Sequence, residues 1–282
     1  MVFEQGLTPE EIGFYSAQGY VSPTEVLTAK EAAEAYEHFR RYESCLGGCI
    51  QHGWRFKAHL LLPWLADIIR HPRVVAVVQS ALNTPHILCW SSDIFVKEAK
   101  DKKYTGWHQD STYVAFSDPP DVLTLWLALT PSTPESGCVR FWPRSHLRGQ
   151  LDHEEGSSPD SLLLKGQEVA VEVPESEGVD ACLQPGEASL HHIKLVHGSG
   201  PNISDQRRVG IAIRYMAASV KQNLPVRDSV TLVSGEPPGD YYKLEPRPAS
   251  ELDEAAKATH RDAVGPVYPS GTEPPNWDRD AA

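Results

Sequence analysis

No stretch of this 282-residue chain is long and apolar enough to span a bilayer; its longest apolar runs, such as Val74–Val78 and Leu123–Leu129, fall far short of the roughly 20 residues a crossing helix needs. No secretory leader is expected either, since Met1–Leu7 carries Glu4 and no basic residue. The expectation is a cytoplasmic protein with no membrane partner. Positive charge is scarce: 26 Lys and Arg stand against 38 Asp and Glu, a formal net charge of −12. The densest basic cluster is Arg207–Arg208, too little for the cationic footprint of a nucleic-acid binder, so no nucleic acid is expected as partner. Cysteines are few and odd in number, and Cys45-x3-Cys49 has no matching second pair, which argues against a zinc site and for reduced thiols in the core. Internal repeats are absent.

What is present divides the chain by pattern. Thr8-Pro9-Glu10-Glu11 and Thr28-Ala29-Lys30-Glu31 are capping boxes, the first with proline at the opening helical position. The first seventy or so residues read as helical, with Lys30–Tyr42 and then Pro63–Ile69 and Pro72–Leu82 as further helices. From His86 the pattern turns to short β-branched or aromatic runs bounded by Gly, Pro, Asp or Ser. These are His86–Glu98, Val122–Leu129, Gly137–Trp142, Val169–Val173, Ala188–His192, Arg208–Met216 and Ser229–Val233. Such runs without intervening helices predict a mainly β fold with flanking helices, its core a jelly-roll sandwich or barrel. Length permits one domain over 1–282: a helical buttress (1–85), the β core (86–235) and an extended C-terminal segment (236–282). One short helix is expected in that segment at Ser250–His260, and disorder over Tyr268–Ala282.

The chemistry centres on Trp107-His108-Gln109-Asp110. On extended backbone a His-x-Asp pair presents both side chains on one face. A second histidine from a distant strand completes a two-histidine, one-carboxylate triad, which leaves an open face on iron(II) for co-substrate and dioxygen. The better candidate is His197, entering the glycine-rich turn Gly198-Ser199-Gly200-Pro201-Asn202; His191 and His192 are its rivals. Each alone is more often a core histidine. Arg208 opens the apolar strand Val209–Met216, where an inward-facing arginine needs an anion, while Arg207 is expected in solvent.

Together Trp107–Tyr113, Pro134–Gly137, Pro143–His146, His192–Asn202 and Arg208 resemble the phytanoyl-CoA dioxygenase family of iron(II)/2-oxoglutarate oxygenases, over about Thr8 to Pro248. The resemblance implies a cupin-like double-stranded β-helix and a hydroxylase that uses iron(II), 2-oxoglutarate and dioxygen, releasing succinate and carbon dioxide. It implies His108, Asp110 and His197 as metal ligands and Arg208 as partner of the co-substrate's distal carboxylate, with Gln109, Trp126 and Ser199 around the co-substrate. Halogenases of the same superfamily lack the carboxylate; Asp110 is kept here, which favours hydroxylation. The bacterial small-molecule branch is the nearest in pattern, implying a small anionic or zwitterionic substrate such as an aminoalkylphosphonate or a natural-product intermediate. Lys97, Tyr113 and Arg214 are its candidate contacts, Arg214 because it shares strand parity with Arg208. An acyl-CoA substrate and a non-catalytic cupin-like metal module are the alternatives, and the oligomeric state is left open.

Overall fold

A computed structural model describes residues 6–265 apart from positions 49, 51, 115, 117–120, 157, 159, 164–166 and 223–226. Its elements are α1 (Pro9–Gln18), β1 (Tyr20–Glu25), α2 (Ala29–Cys45), α3 (His52–Arg55), α4 (Pro63–Ile68), α5 (Pro72–Leu82), β2 (Ile87–Lys97) and β3 (Thr105–His108). They continue with β4 (Val122–Ala128), β5 (Val139–Phe141), β6 (His153–Glu155), β7 (Gln167–Val169), β8 (Val179–Ala181), β9 (Glu187–His192), β10 (His197–Ser199) and β11 (Arg208–Ala217). Last come β12 (Ser229–Ser234), β13 (Lys243–Leu244) and α6 (Glu254–Val264).

Both capping boxes form. The Thr8 side chain accepts from Glu11 N while Glu11 Oε2 accepts from Thr8 N at 2.8 Å, and Thr28 with Glu31 repeats the arrangement. Each exchange satisfies backbone groups that a helix start leaves open. α6, capped by Asp253, runs from Glu254 to Val264, four residues later than the sequence pattern indicates at both ends.

The core is a jelly roll. A seven-stranded sheet in the order β1-β9-β4-β11-β2-β12-β13 faces a four-stranded sheet in the order β3-β10-β5-β8. Strand parity assigns each side chain to one of two environments. Odd positions of β4 and β11 (Leu123, Leu125, Leu127, Ile211, Ile213, Tyr215) join a core cluster with Phe39, Leu65 and Val77 of the helices. Burial of each such leucine contributes about 1.5–3 kcal/mol, which seats the helices on the outer face of the sheet. Even positions (Thr124, Trp126, Arg208, Ala212, Arg214) turn into the space between the sheets, where they line a cavity.

Four expectations need correction. The N-terminal stretch is not all helical, because β1 lies on the large sheet, paired antiparallel with β9. Its Pro23 explains the misreading, and an edge strand tolerates it because the ladder there has a free side. Val169–Val173 is not a strand; the pairing residues are Gln167–Val169, opposite His153–Glu155. The C-terminal segment holds more than an extended run around the expected helix, since β13 adds to β12 ahead of α6. Arg207 is not free in solvent: both oxygens of Glu43 accept from it, at 2.9 and 2.7 Å. Tyr268–Ala282 lies outside the described residues, as does Cys49, while Cys45, Cys89, Cys138 and Cys182 are free thiols. No described helix is long and apolar enough to cross a membrane.

Candidate metal centre

His108 ends β3, and Asp110 opens a one-turn 3₁₀ segment (Asp110–Tyr113) rather than continuing the strand. The two side chains still share a face because Gln109 between them stays extended, at φ −113° and ψ 130°. His197 does not end a strand as its apolar approach suggests; it begins β10 after a turn. There it sits directly opposite His108 in the β3–β10 register. Cross-strand pairing thus brings together two histidines 89 positions apart in sequence, with ring centroids 4.1 Å apart.

His108, Asp110 and His197 each offer one ligand atom, and the three atoms lie within 4.8 Å of one another. All three residues are buried. The Nδ1 atoms of His108 and His197 lie 2.9 Å from the carbonyl oxygens of Gly106 and Leu195. Each Nδ1 must carry its ring's proton to make that bond, which leaves both Nε2 lone pairs free for a metal. Burial is the main reason that His108 is held down to about 3 and His197 to about 4. Both rings are therefore neutral and ready to ligate at neutral pH.

Asp110 is fixed at both oxygens. Thr124 donates to Oδ2 at 2.6 Å and Arg214 Nη2 to Oδ1 at 2.9 Å. Burial by itself raises the carboxyl, but the Arg214 guanidinium overcomes it and holds the group well below the usual range. The donor set is two neutral imidazoles and one ionised carboxylate, which suits iron(II).

The centre lies in a cavity of about 280 Å³. Arg208, 2% exposed, lines it; its Nη1 donates to Gly137 O at 2.6 Å and its Nε has no partner among the described residues. Its guanidinium lies 5.0 Å from the ring centre of Trp126. Among the described residues no carboxylate pairs with it, and burial lowers it to about 10. Ser199 Oγ stands 3.4 Å away. Phe56 and Trp90, 6.1 Å apart between ring centres, line the cavity as an aromatic wall with Phe95, and Arg55 pairs with Asp93 at 3.1 Å.

The cavity therefore takes in Arg208, Ser199, Trp126, Tyr113 and Arg214 but not Gln109 or Lys97. Gln109 turns away and fastens loops, donating to Gly149 O and Lys194 O and accepting from Leu151 N. Lys97 is fully buried behind Ser199, bonded to its carbonyl and hydroxyl and to Gly200 O. Burial and the adjacent Arg208 push its ammonium down to about 6. Arg214 does face inward, yet Asp110 takes its charge. Of the rival histidines, His192 accepts from Lys194 N at 3.0 Å outside the cavity, while His191 lines it.

Thr124, Arg55 and Asp93 carry the site without having been singled out in sequence. Thr124 has the strand parity of Trp126, a signal that could have found it. Arg55 and Asp93 approach from separate elements, and the anchoring carbonyls of Gly106, Leu195 and Gly137 have no side-chain signature.

Comparison with known proteins agrees with this architecture. The sequence profile of the family described as phytanoyl-CoA dioxygenase (PhyH) matches residues 10–210. The chain is similar to a protein named as a probable alpha-ketoglutarate-dependent hypophosphite dioxygenase from Stutzerimonas stutzeri, 28% identical over 57% of this chain and 55% of that one. It is similar to mouse phytanoyl-CoA dioxygenase domain-containing protein 1, 29% identical over 56% of this chain and 54% of the other. The chain spans about half the length of the curated relatives it matches. Among solved structures it resembles the apo form of the non-heme monooxygenase ThoJ, with a TM-score of 0.80, 32% identity, and coverage of 91% of this chain and 95% of that one. On the profile match and this likeness, the chain belongs to the phytanoyl-CoA dioxygenase family.

Proposed function

We propose that this protein is an iron(II)- and 2-oxoglutarate-dependent dioxygenase that hydroxylates an aliphatic carbon of a small molecule. The observation that carries the reading is the buried His108–Asp110–His197 cluster sharing one cavity with Arg208, a buried cation with no carboxylate partner among the described residues. His108 Nε2, the Asp110 carboxylate and His197 Nε2 would hold the iron. Together with 2-oxoglutarate the metal supplies dioxygen activation, coupled to oxidative decarboxylation that yields succinate and carbon dioxide.

The chain's own residues do the rest. Arg208 receives the distal carboxylate of 2-oxoglutarate, with Ser199 Oγ beside it and Trp126 as a flat wall. Gly137 O aims the guanidinium through its bond to Nη1. Thr124 and Arg214 fix the Asp110 carboxylate, so the ligand does not reorganise when metal binds. Asp110 also fills the position that a halide would need, which favours hydroxylation over halogenation. Phe56, Trp90 and Phe95 exclude water and leave room for a compact substrate. The Arg55–Asp93 pair offers both signs of charge on that wall, which supports an anionic or zwitterionic substrate. A relative named for hypophosphite, itself a small anion, points the same way.

The test is anaerobic reconstitution with iron(II), followed by 2-oxoglutarate, air, and a panel of amino acids, phosphonates and small carboxylic acids. Succinate release stimulated by a panel member, and lost in His108→Ala and Asp110→Ala, is expected. No succinate above a metal-free control, with or without any panel member, would overturn the reading.

A further inference from the structure

His191 is a buried side chain without an internal explanation. It lies on β9, 1% exposed, and lines the cavity. Neither Nδ1 nor Nε2 has a hydrogen-bond partner among the described residues. Its Nε2 lies 3.9 Å from Asp110 Oδ2, too far for a hydrogen bond, and Thr124 already donates to that oxygen. Two rings pack beside it, His197 at 4.3 Å and Phe141 at 5.2 Å between centroids. Leaving a buried N–H unmade is costly, so a native protein that keeps one there has a use for it. A phenylalanine would fill the same aromatic niche without that cost.

The position indicates the use. In the β4–β9 register His191 is opposite Thr124, whose hydroxyl holds Asp110. The histidine thus reaches the triad from the same side as Asp110 but stays outside the group of ligand atoms lying within 4.8 Å of one another. It borders the metal centre without belonging to it. The space it faces is the cavity that Arg208 also faces. On the reading above, that space receives a 2-oxo acid whose distal carboxylate is on Arg208, which brings its other, 2-oxo end beside the triad.

We propose that His191 is a positioning residue whose Nε2–H donates a hydrogen bond to the carboxylate oxygen that the 2-oxo end of 2-oxoglutarate places beside the triad. This rests on the proposed co-substrate and assigns that co-substrate a second protein anchor, at the opposite end from Arg208. A neutral imidazole protonated on Nε2 supplies one donor there, so a single charge-assisted bond is at stake.

The experiment is anaerobic titration of the iron(II)-loaded protein with 2-oxoglutarate, read by the charge-transfer absorbance of the chelate, with iron affinity measured separately. His191→Phe keeps the ring and removes both nitrogens; it should weaken 2-oxoglutarate binding about tenfold and leave iron affinity within about twofold, since no metal ligand is lost. The absorbance maximum should also shift, because the carboxylate has lost its donor. His191→Gln, which keeps an N–H at similar reach, should restore most of the affinity. His191→Asn, polar but shorter, should behave like the phenylalanine and serves in its place if that variant does not fold. Unchanged 2-oxoglutarate affinity in His191→Phe, or iron affinity falling in parallel, overturns the proposal. A wild-type protein that gives no chromophore with iron and 2-oxoglutarate would sink the functional reading, and this inference with it.

Discussion

Arg214 Nη2 stands 2.9 Å from Asp110 Oδ1, so the one acidic member of the proposed triad already has a cation of its own. The arginine is 14% exposed and the carboxylate 1%, which makes this a nearly buried pair. Removing one partner of such a pair costs about 3–5 kcal/mol, because the other charge is left uncompensated. Arg214→Leu should therefore destabilise the metal-free protein by about that amount. Binding of iron(II) or cobalt(II) replaces the lost cation, so the rise in melting temperature on adding metal should exceed the wild-type rise. Thermal melts with and without metal measure both. An equal metal-induced rise in the two proteins would mean that Arg214 is not the counter-charge of the empty site.

Arg208→Ala should weaken 2-oxoglutarate binding by a hundredfold or so, the usual scale for losing a charge-assisted contact to a carboxylate, with iron affinity unchanged. Arg208→Lys should recover only part of the loss, because an ammonium does not reproduce the planar fork. Calorimetric titration of the metal-loaded protein reads this directly. Parallel loss of metal would show that the arginine supports the triad instead.

Gly210 is opposite the indole of Trp126: a Cβ there would lie 2.1 Å from the ring. Gly210→Ala should displace Trp126, the surface under the Arg208 guanidinium. The expected result is 2-oxoglutarate affinity reduced about tenfold, the scale of a disturbed charged contact, with little change in metal affinity. A double variant Gly210→Ala/Trp126→Leu should fold better than the single one, as the clash is gone. Equal stability of the two would place the strain elsewhere.

Stability should fall as the metal-free protein is acidified below neutrality. Burial, with His146 and Lys194 nearby, holds His192 down to about 4, and burial holds His260 to a similar value, against 6.5 for a free ring. Below pH 6.5 the unfolded chain takes up protons that these folded rings refuse. Stability therefore drops between that pH and about 4, where the folded rings protonate too and this contribution levels off. Chemical denaturation at several pH values measures the slope, which His260→Gln should flatten. A slope unchanged by that substitution would remove His260 from the account.

Much of this was readable before any coordinates. Capping boxes located α1 and α2, and the alternation along Arg208–Met216 separated residues that face the helices from those that face the cavity. His108, Asp110 and His197 also stood out. What sequence did not carry was pairing. Nothing in His197-Gly198-Ser199 announces a strand opposite His108, since three residues rich in glycine read as a turn. Parity predicted direction but not occupation: Arg214 points inward as expected, yet whether its charge is free depends on a carboxylate 104 positions away. Lys97 failed as a cavity residue for a related reason, because the carbonyls that draw it behind Ser199 leave no mark on the sequence. Gln109 failed because only loop geometry shows that its amide spans Gly149 and Lys194.

The wall carrying Arg55 and Phe56 is tied down from the far end of the chain. Lys57, fully buried, donates to Glu245 Oε1 at 2.6 Å, and His260 Nε2 lies 2.8 Å from Phe56 O. The triad and Arg208, by contrast, belong to elements between β3 and β11. Drift in the segment that carries Glu245 and His260 can therefore reshape the aromatic wall while the residues of the proposed metal centre stay in place. On the proposed function, such drift would alter substrate preference without touching a metal ligand.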